Sequence, residues 1–123
     1  MEEYQNIFVF RDAIAVFTNE CIACNLIGAK LKDTNLQNGN LENANLQGAD
    51  LERANLQGTN LQGANLQGAD LGKTSIIGAN LENANLFDAD LEKANLTGAN
   101  IVGANFQGAD LEKAIIPLGL MTQ

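Results

Sequence analysis

Ala44-Asn45-Leu46-Gln47-Gly48-Ala49-Asp50-Leu51-Glu52-Arg53 holds two copies of one five-residue unit: small, polar, large apolar, then two variable residues. Followed outward in both directions, the unit recurs without insertion from Cys24 to Leu118, nineteen copies in 95 residues. Strand side chains alternate between faces with a period of two. The small and large residues of a unit therefore share one face, and the polar residue between them points to the other. A period of five cannot continue as a flat strand, because the alternation slips by one at each unit. The chain must turn once per unit, with the last two residues at the corner.

The corners carry the right residues. Their second position is Gly in nine units and Asn at 38, 43 and 83, and both residues tolerate the positive φ of a type II turn. Arg53, Lys73, Lys93 and Lys113 occupy the same slot, where positive φ is costly, so type I turns are expected at those four corners. The number of sides follows from a longer spacing. Asp replaces Asn at 50, 70, 90 and 110, and the Arg53–Lys113 series has the same twenty-residue step. Twenty residues are four units, so four sides close one coil. The expectation is an all-β solenoid, a square β-helix of almost five coils, roughly 23 Å tall at strand spacing.

The inward columns build the core. The large column holds fifteen Leu, three Ile and Phe106, and the small column holds fourteen Ala with Cys24, Thr34, Gly39, Thr59 and Thr74. Two inward side chains per side share a narrow interior, so one of them must be small.

Units such as Ala49-Asp50-Leu51-Glu52-Arg53 and Ala89-Asp90-Leu91-Glu92-Lys93 match the A-[D/N]-L-x-x signature. In this the chain closely resembles the pentapeptide repeat proteins, over about three quarters of its length. The resemblance implies a right-handed quadrilateral β-helix, and it alone supplies the handedness. Most such proteins have no known activity. Some bind type II topoisomerase as acidic rods shaped like duplex DNA, and one cyanobacterial member controls cell differentiation.

Composition narrows the function. Fifteen acidic against seven basic residues give a net charge of −8. That argues against direct nucleic-acid binding through phosphate contacts and against an anionic membrane surface. No His is present, so the usual proton shuttle and the commonest metal ligand are missing. With one Ser and no loop insertion to build a pocket, catalysis is not expected, nor are a cofactor or a metal. Met1-Glu2-Glu3 and the interruption by Arg11 and Asp12 lack the pattern of a secretory signal, and no stretch is long enough to span a membrane. The expected location is the cytoplasm.

Residues 1–23 fall outside the five-residue frame and read as an N-terminal cap. Ile7, Phe10, Ile14, Phe17 and Cys21 recur at spacings of three and four, which predicts a short amphipathic helix within about residues 8–20 laid over the first coil, with one irregular strand pairing the first edge as the alternative. The repeat is read as 24–118 and the tail as 119–123. Pro117 blunts the final edge. Leu118, Leu120 and Met121 either fold over the last coil or form an end-to-end homodimer contact. Cys21 and Cys24 make a lone CxxC, read as buried structural cysteines, with Cys24 inward and Cys21 on the helix face.

Three outward features are candidates. The Asp50, Asp70, Asp90, Asp110 column invites a cation, but the adjacent Lys/Arg series makes the face self-neutralising and favours a solvated, salt-laced surface. The Asn column suggests side-chain amide ladders between coils. Phe87 is the best single contact residue among the few outward apolar side chains. The leading reading is a non-enzymatic structural or protein-interaction module, with Asp50, Asp70, Asp90, Asp110 and Phe87 as its surface and a protein partner whose identity the sequence does not give. The alternative is a DNA-mimicking inhibitor of gyrase, a type II topoisomerase. B-DNA carries about one charge per 1.7 Å, roughly 13 over ~23 Å, whereas residues 24–118 hold eleven acids against six bases.

Overall fold

The structure, a computed structural model, describes residues 20–121. The helix expected within residues 8–20 lies outside this range except for Glu20. Parallel bridges link each outward polar residue to the one twenty positions later, from Glu20↔Asn40 to Asn95↔Ile115. One coil is therefore twenty residues, and we number the coils 1 to 5 from residues 20, 40, 60, 80 and 100. The expected strands shrink to isolated single-residue bridges separated by turns, because a corner every fifth residue leaves only one residue per side in ladder geometry.

The backbone amides of a mid-rod unit are all satisfied. Ala64 N–H donates to Leu61 O at 3.0 Å and closes the turn, while Asn65 N–H donates down to Ala44 O at 2.9 Å. Leu66 and Gly68 donate up to Asn85 O at 2.7 Å and Phe87 O at 2.9 Å. The fifth amide, Gln67 N–H, has no backbone acceptor and is taken by the Asn65 side-chain oxygen at 3.1 Å. A buried or half-buried amide without a partner is costly, so the outward position needs a short side chain with an acceptor two residues before that amide. This is the turn that Asn and Asp make with their own backbone, and it explains why the two interchange there.

The same backbone pattern overturns the expectation of type I turns at the basic corners. Arg53, Lys73, Lys93 and Lys113 have φ of 61°, 56°, 64° and 62°, in the left-handed region. Arg53 N–H still donates to Gly72 O at 3.0 Å, as a glycine would. The hydrogen bonds of each corner fix one conformation, and they override the preference of the single residue, worth about 1–2 kcal/mol. Asn at a corner reaches up instead: a Cβ added to Gly63 or Gly103 would collide with the side-chain oxygen of Asn43 or Asn83 one coil below. Asn and Gly accordingly alternate in the column 43, 63, 83, 103.

Leu46, Leu51, Leu56, Leu66 and Leu86 are fully buried, with Ala44, Ala49 and Ala64 between them. Of the inward threonines, Thr59 and Thr74 are buried, and each hydroxyl donates to a carbonyl of the coil beneath, Thr59 to Leu36 O and Thr74 to Leu51 O, both at 2.8 Å, whereas Thr34 is half-buried and donates to Lys32 O at 3.5 Å.

The coil pattern reaches back past the boundary read at residues 23 and 24. Glu20 bridges Asn40, and Cys21 fills a large inward slot rather than a helix face. Cys21 stands five residues before Leu26, in frame. Cys21 and Cys24 are both buried and are joined by a disulfide. At the other end the repeat stops at Ile115, and α1 (Leu118–Met121) follows Pro117. Leu120 packs against the core, while Leu118 is 78% exposed. Phe106 and Leu111 of coil 5 are half-buried, and among the described residues their amides meet no backbone acceptor.

Candidate interaction face

The twenty-residue register brings Lys30, Asp50, Asp70, Asp90 and Asp110 into one column, each bridged to the next. The corner beside it stacks Lys32, Glu52, Gly72, Glu92 and Glu112, then Asp33, Arg53, Lys73, Lys93 and Lys113. All six basic residues of the repeat array and eight of its eleven acids stand on this one face and corner. Within residues 24–118 only Glu42, Glu82 and Asp88 lie elsewhere, and Glu20 at the start of coil 1 stands on another face. The other three faces are Asn and Gln surfaces with few charges.

Each Asp of the column performs the turn role described above. Asp50, Asp70, Asp90 and Asp110 accept the amides of Glu52, Gly72, Glu92 and Glu112 at 3.1, 3.0, 3.0 and 3.0 Å. The Asn columns do this too and add cross-coil amide links, Asn60 to Asn40, Asn65 to Asn45, Asn85 to Asn65 and Asn100 to Asn80, at 3.2–3.4 Å. Among the described residues these join four of the eight stacked Asn pairs, whereas the acceptor within the turn is present at every Asn of the column, so the chief work of Asn is within its own turn. A carboxylate has no donor for the sideways link. Asp keeps the turn and replaces the link with like charges one coil apart.

Coils 1 and 2 resolve this repulsion by inverting sign. Coil 1 presents Lys30, Lys32 and Asp33 where later coils present Asp, Glu and Lys or Arg. Lys32 meets Glu52 at 3.3 Å, and Arg53 meets Asp33 at 2.9 Å and Glu52 at 3.3 Å. The guanidinium grips both Asp33 oxygens. That hydrogen bond holds the Asp33 carboxyl below its usual range, and the same contact raises Arg53. In coils 3 to 5, Asp stacks on Asp, Glu92 on Glu112, and Lys73 on Lys93 on Lys113. Among the described residues no ion pair joins the groups of these coils. Gly72 stands buried between Glu52 and Glu92 in this column, and a Cβ there would lie 3.2 Å from Asp70 Oδ1.

Two carboxylate groups, Asp50–Glu52–Asp70 and Asp90–Glu92–Asp110, each gather within 4.8 Å. They are the places where a cation's charge would be best balanced. Lys32 and Arg53 already supply positive charge to the first, and solvated acidic faces commonly gather carboxylates in this way. We assign no metal to either.

Phe87 is half-buried at the corner preceding the charged face, with its carbonyl accepting Gly68 N–H at 2.9 Å. It borders the Asp column on the side opposite the Lys series. Val102 and Ile27 are more exposed, at 66% and 54%, than Phe87. The paired first coil was missed in the sequence reading, although its signal, the reversed signs of Lys30, Lys32 and Asp33 in the twenty-residue register, was present.

Comparison with known proteins gives a consistent picture. The model of the pentapeptide repeats, in 8 copies, matches residues 24–63, 64–101 and 79–116. Among solved structures, the pentapeptide repeat protein Rfr23 of the cyanobacterium Cyanothece 51142 is 34% identical, with a TM-score of 0.70 over 79% of this chain and 86% of that one. A pentapeptide repeat protein of the Arabidopsis thaliana thylakoid lumen is 32% identical over 84% of this chain and 68% of that one, with a TM-score of 0.44. HetL of Nostoc sp. strain PCC 7120, a pentapeptide repeat protein involved in heterocyst differentiation regulation, is 29% identical over 80% and 62%, with a TM-score of 0.36. No curated protein gives a significant match. No helix among the described residues is long and apolar enough to cross a membrane. The chain belongs to the pentapeptide repeat family, and its repeats form a β-helix.

Proposed function

We propose that the protein is a non-enzymatic scaffold, a right-handed quadrilateral β-helix of almost five coils, whose charged face docks a protein partner. The observation that carries this reading is the gathering of all six array bases and eight of eleven acids on one face. A surface selected only for solubility has no need to confine its charges to one of four equivalent sides. In coils 3 to 5 the acidic column of Asp70, Asp90 and Asp110 runs beside the basic column of Lys73, Lys93 and Lys113. The partner that fits carries the reverse stripes, basic groups over the Asp column and acidic groups over the Lys column. Complementary stripes of this kind chiefly set register and association rate. Phe87 supplies an apolar contact at the border. We assign the cytoplasm as compartment, with no cofactor, no direct nucleic-acid binding and no membrane contact.

The test is capture from a host lysate by the native protein and by a variant with Asp50, Asp70, Asp90 and Asp110 changed to Asn and Phe87 to Ser. Asn preserves the turn acceptor, so the fold persists while the charge is removed. One stoichiometric protein retained by the first and lost by the second supports the proposal. Retention by both refutes it for this face. Turnover of a substrate, lost in a surface variant with intact fold, would refute the non-enzymatic reading.

A second reading is end-to-end association of two copies, favoured by the exposure of Leu118, Ile115 and Val102 near the open edge of coil 5. Deleting residues 117–123 should then abolish a dimer seen by light scattering. DNA mimicry of a gyrase substrate is disfavoured by the charge placement, because the acids share their face with every base of the array. A molar excess that alters gyrase supercoiling would restore it.

A further inference from the structure

We infer that the Cys21–Cys24 disulfide is a redox lock on the N-terminal edge of the β-helix, closed when oxidised and released by dithiol reductants. Two features of the first corner converge on this. Cys21 occupies a large inward slot that holds Leu, Ile or Phe in every later unit. A thiol there buries less apolar surface than the Leu41 side chain in the same column one coil later. Ala23 holds the second corner position at φ 60°, where the later corners of the repeat place Gly, Asn, Asp, Lys or Arg. Ala has neither the freedom of Gly nor the local hydrogen bonding of Asn in this region. Among the described residues the intercoil hydrogen bonds of this corner run to coil 2: Cys21 to Asn40 and Ala23 to Glu42.

Each feature weakens the corner that the disulfide closes. The turn hydrogen bond, Cys24 N–H to Cys21 O at 3.1 Å, spans the same residues as the covalent link. Elsewhere in the rod that hydrogen bond suffices because the large slot is filled. Here the covalent link stands in for the missing apolar contact. On reduction, a thiolate of the dithiol attacks one sulfur and the Cys21–Cys24 bond breaks. The mixed disulfide is resolved by the reductant's second thiol. Two electrons and two protons pass to the cysteines, leaving two thiols and an oxidised reductant. Both sulfurs are buried in the closed form, each cysteine being 4% exposed, so attack proceeds through opening of the edge. In a reducing compartment, disulfides that form are usually transient or redox-sensing. The consequence is release of the three hydrogen bonds that tie coil 1 to coil 2 here: Cys21 to Asn40, Ala23 to Glu42, and Asn45 to Cys24.

Hydrogen–deuterium exchange of the full chain, oxidised and after dithiothreitol, tests the lock. The amides of Cys21, Ala23 and Asn45 are expected to exchange at least tenfold faster after reduction, with residues 60–96 unchanged. A Cys21→Leu/Cys24→Ala variant, which restores the later unit pattern, should stay protected with or without reductant. Equal exchange at the edge in both redox states overturns the inference. So does a disulfide that resists reduction until the whole rod unfolds, or free thiols in the folded protein kept under air.

Discussion

The charged face has two halves built on one backbone. In coils 1 and 2 opposite charges meet across the coil step, Lys32 on Glu52 and Asp33 on Arg53. In coils 3 to 5 like charges stack, and no ion pair relieves them among the described residues. The backbone hydrogen bonds of the two halves are the same, with Leu51 donating to Asp70 O at 2.7 Å and Leu91 to Asp110 O at 2.8 Å. The difference therefore lives in side-chain chemistry alone. It teaches that the solenoid sets positions and the register decides whether a charge is used internally or left to the surroundings. The internally paired half contributes to the rod, and the unpaired half is the part that the proposed partner would complete.

The interior should not share the asymmetry. Leu46 and Leu86 lie in one column, two coils apart, and are equally buried. Leu46→Ala and Leu86→Ala should each cost roughly 2–5 kcal/mol in urea unfolding, and by similar amounts. A large difference between them would mean that the halves differ in packing as well as in charge.

The turn role is expected to be uniform too, and it can be separated from charge. Asp50→Ala and Asp90→Ala each remove the acceptor of a corner amide and should cost about 1 kcal/mol. Asp90→Asn keeps the acceptor and removes a stacked charge, so stability should hold or rise slightly. Ser75 gives the converse. Its hydroxyl is buried without a partner, and Ile77 N–H lacks the acceptor that Asn or Asp supplies elsewhere. Ser75→Asn should stabilise by about 1 kcal/mol. A neutral or destabilising result in thermal unfolding would count against the turn rule.

Smaller effects distinguish the charged halves. Arg53→Met should destabilise only slightly, as loss of an exposed pair does, and the loss should shrink in 1 M salt. Lys93→Met has no pair to break and should change stability less. Equal effects would erase the distinction. The smallest signal is the titration of Asp33. Its carboxyl is held low by Arg53, so the pair's contribution is present above the unfolded carboxylate pKa and lost as pH falls through the lower folded value. In Arg53→Met the Asp33 carbon signal should titrate at higher pH. An unchanged midpoint would detach Asp33 from Arg53 in solution.

Much of this was legible in the sequence, because one rule repeats. The inward assignment of Leu66 and Ala64 followed from their spacing of two, and the stacking of Asp50 on Asp70 from the spacing of twenty. The rest depended on hydrogen bonds that a residue pattern does not display. Positive φ at Lys73 contradicts the preference of Lys and follows from the donation of Lys73 N–H to Glu92 O at 2.9 Å. The reading of Asn as an intercoil ladder overlooked the amide two residues on, which must find an acceptor inside the turn. Cys21 was placed on a helix because it continues the three- and four-residue spacing of Ile7, Phe10, Ile14 and Phe17, although the fifth-residue spacing to Leu26 was in plain view.

The most direct measurement is to split the Asp column in the capture experiment, comparing Asp50→Asn with the triple Asp70→Asn/Asp90→Asn/Asp110→Asn on the same folded rod. Retention of the partner by Asp50→Asn, with loss of at least tenfold by the triple variant, is the result expected if coils 3 to 5 dock the partner. Equal retention by both variants, or a loss confined to Asp50→Asn, would contradict that assignment.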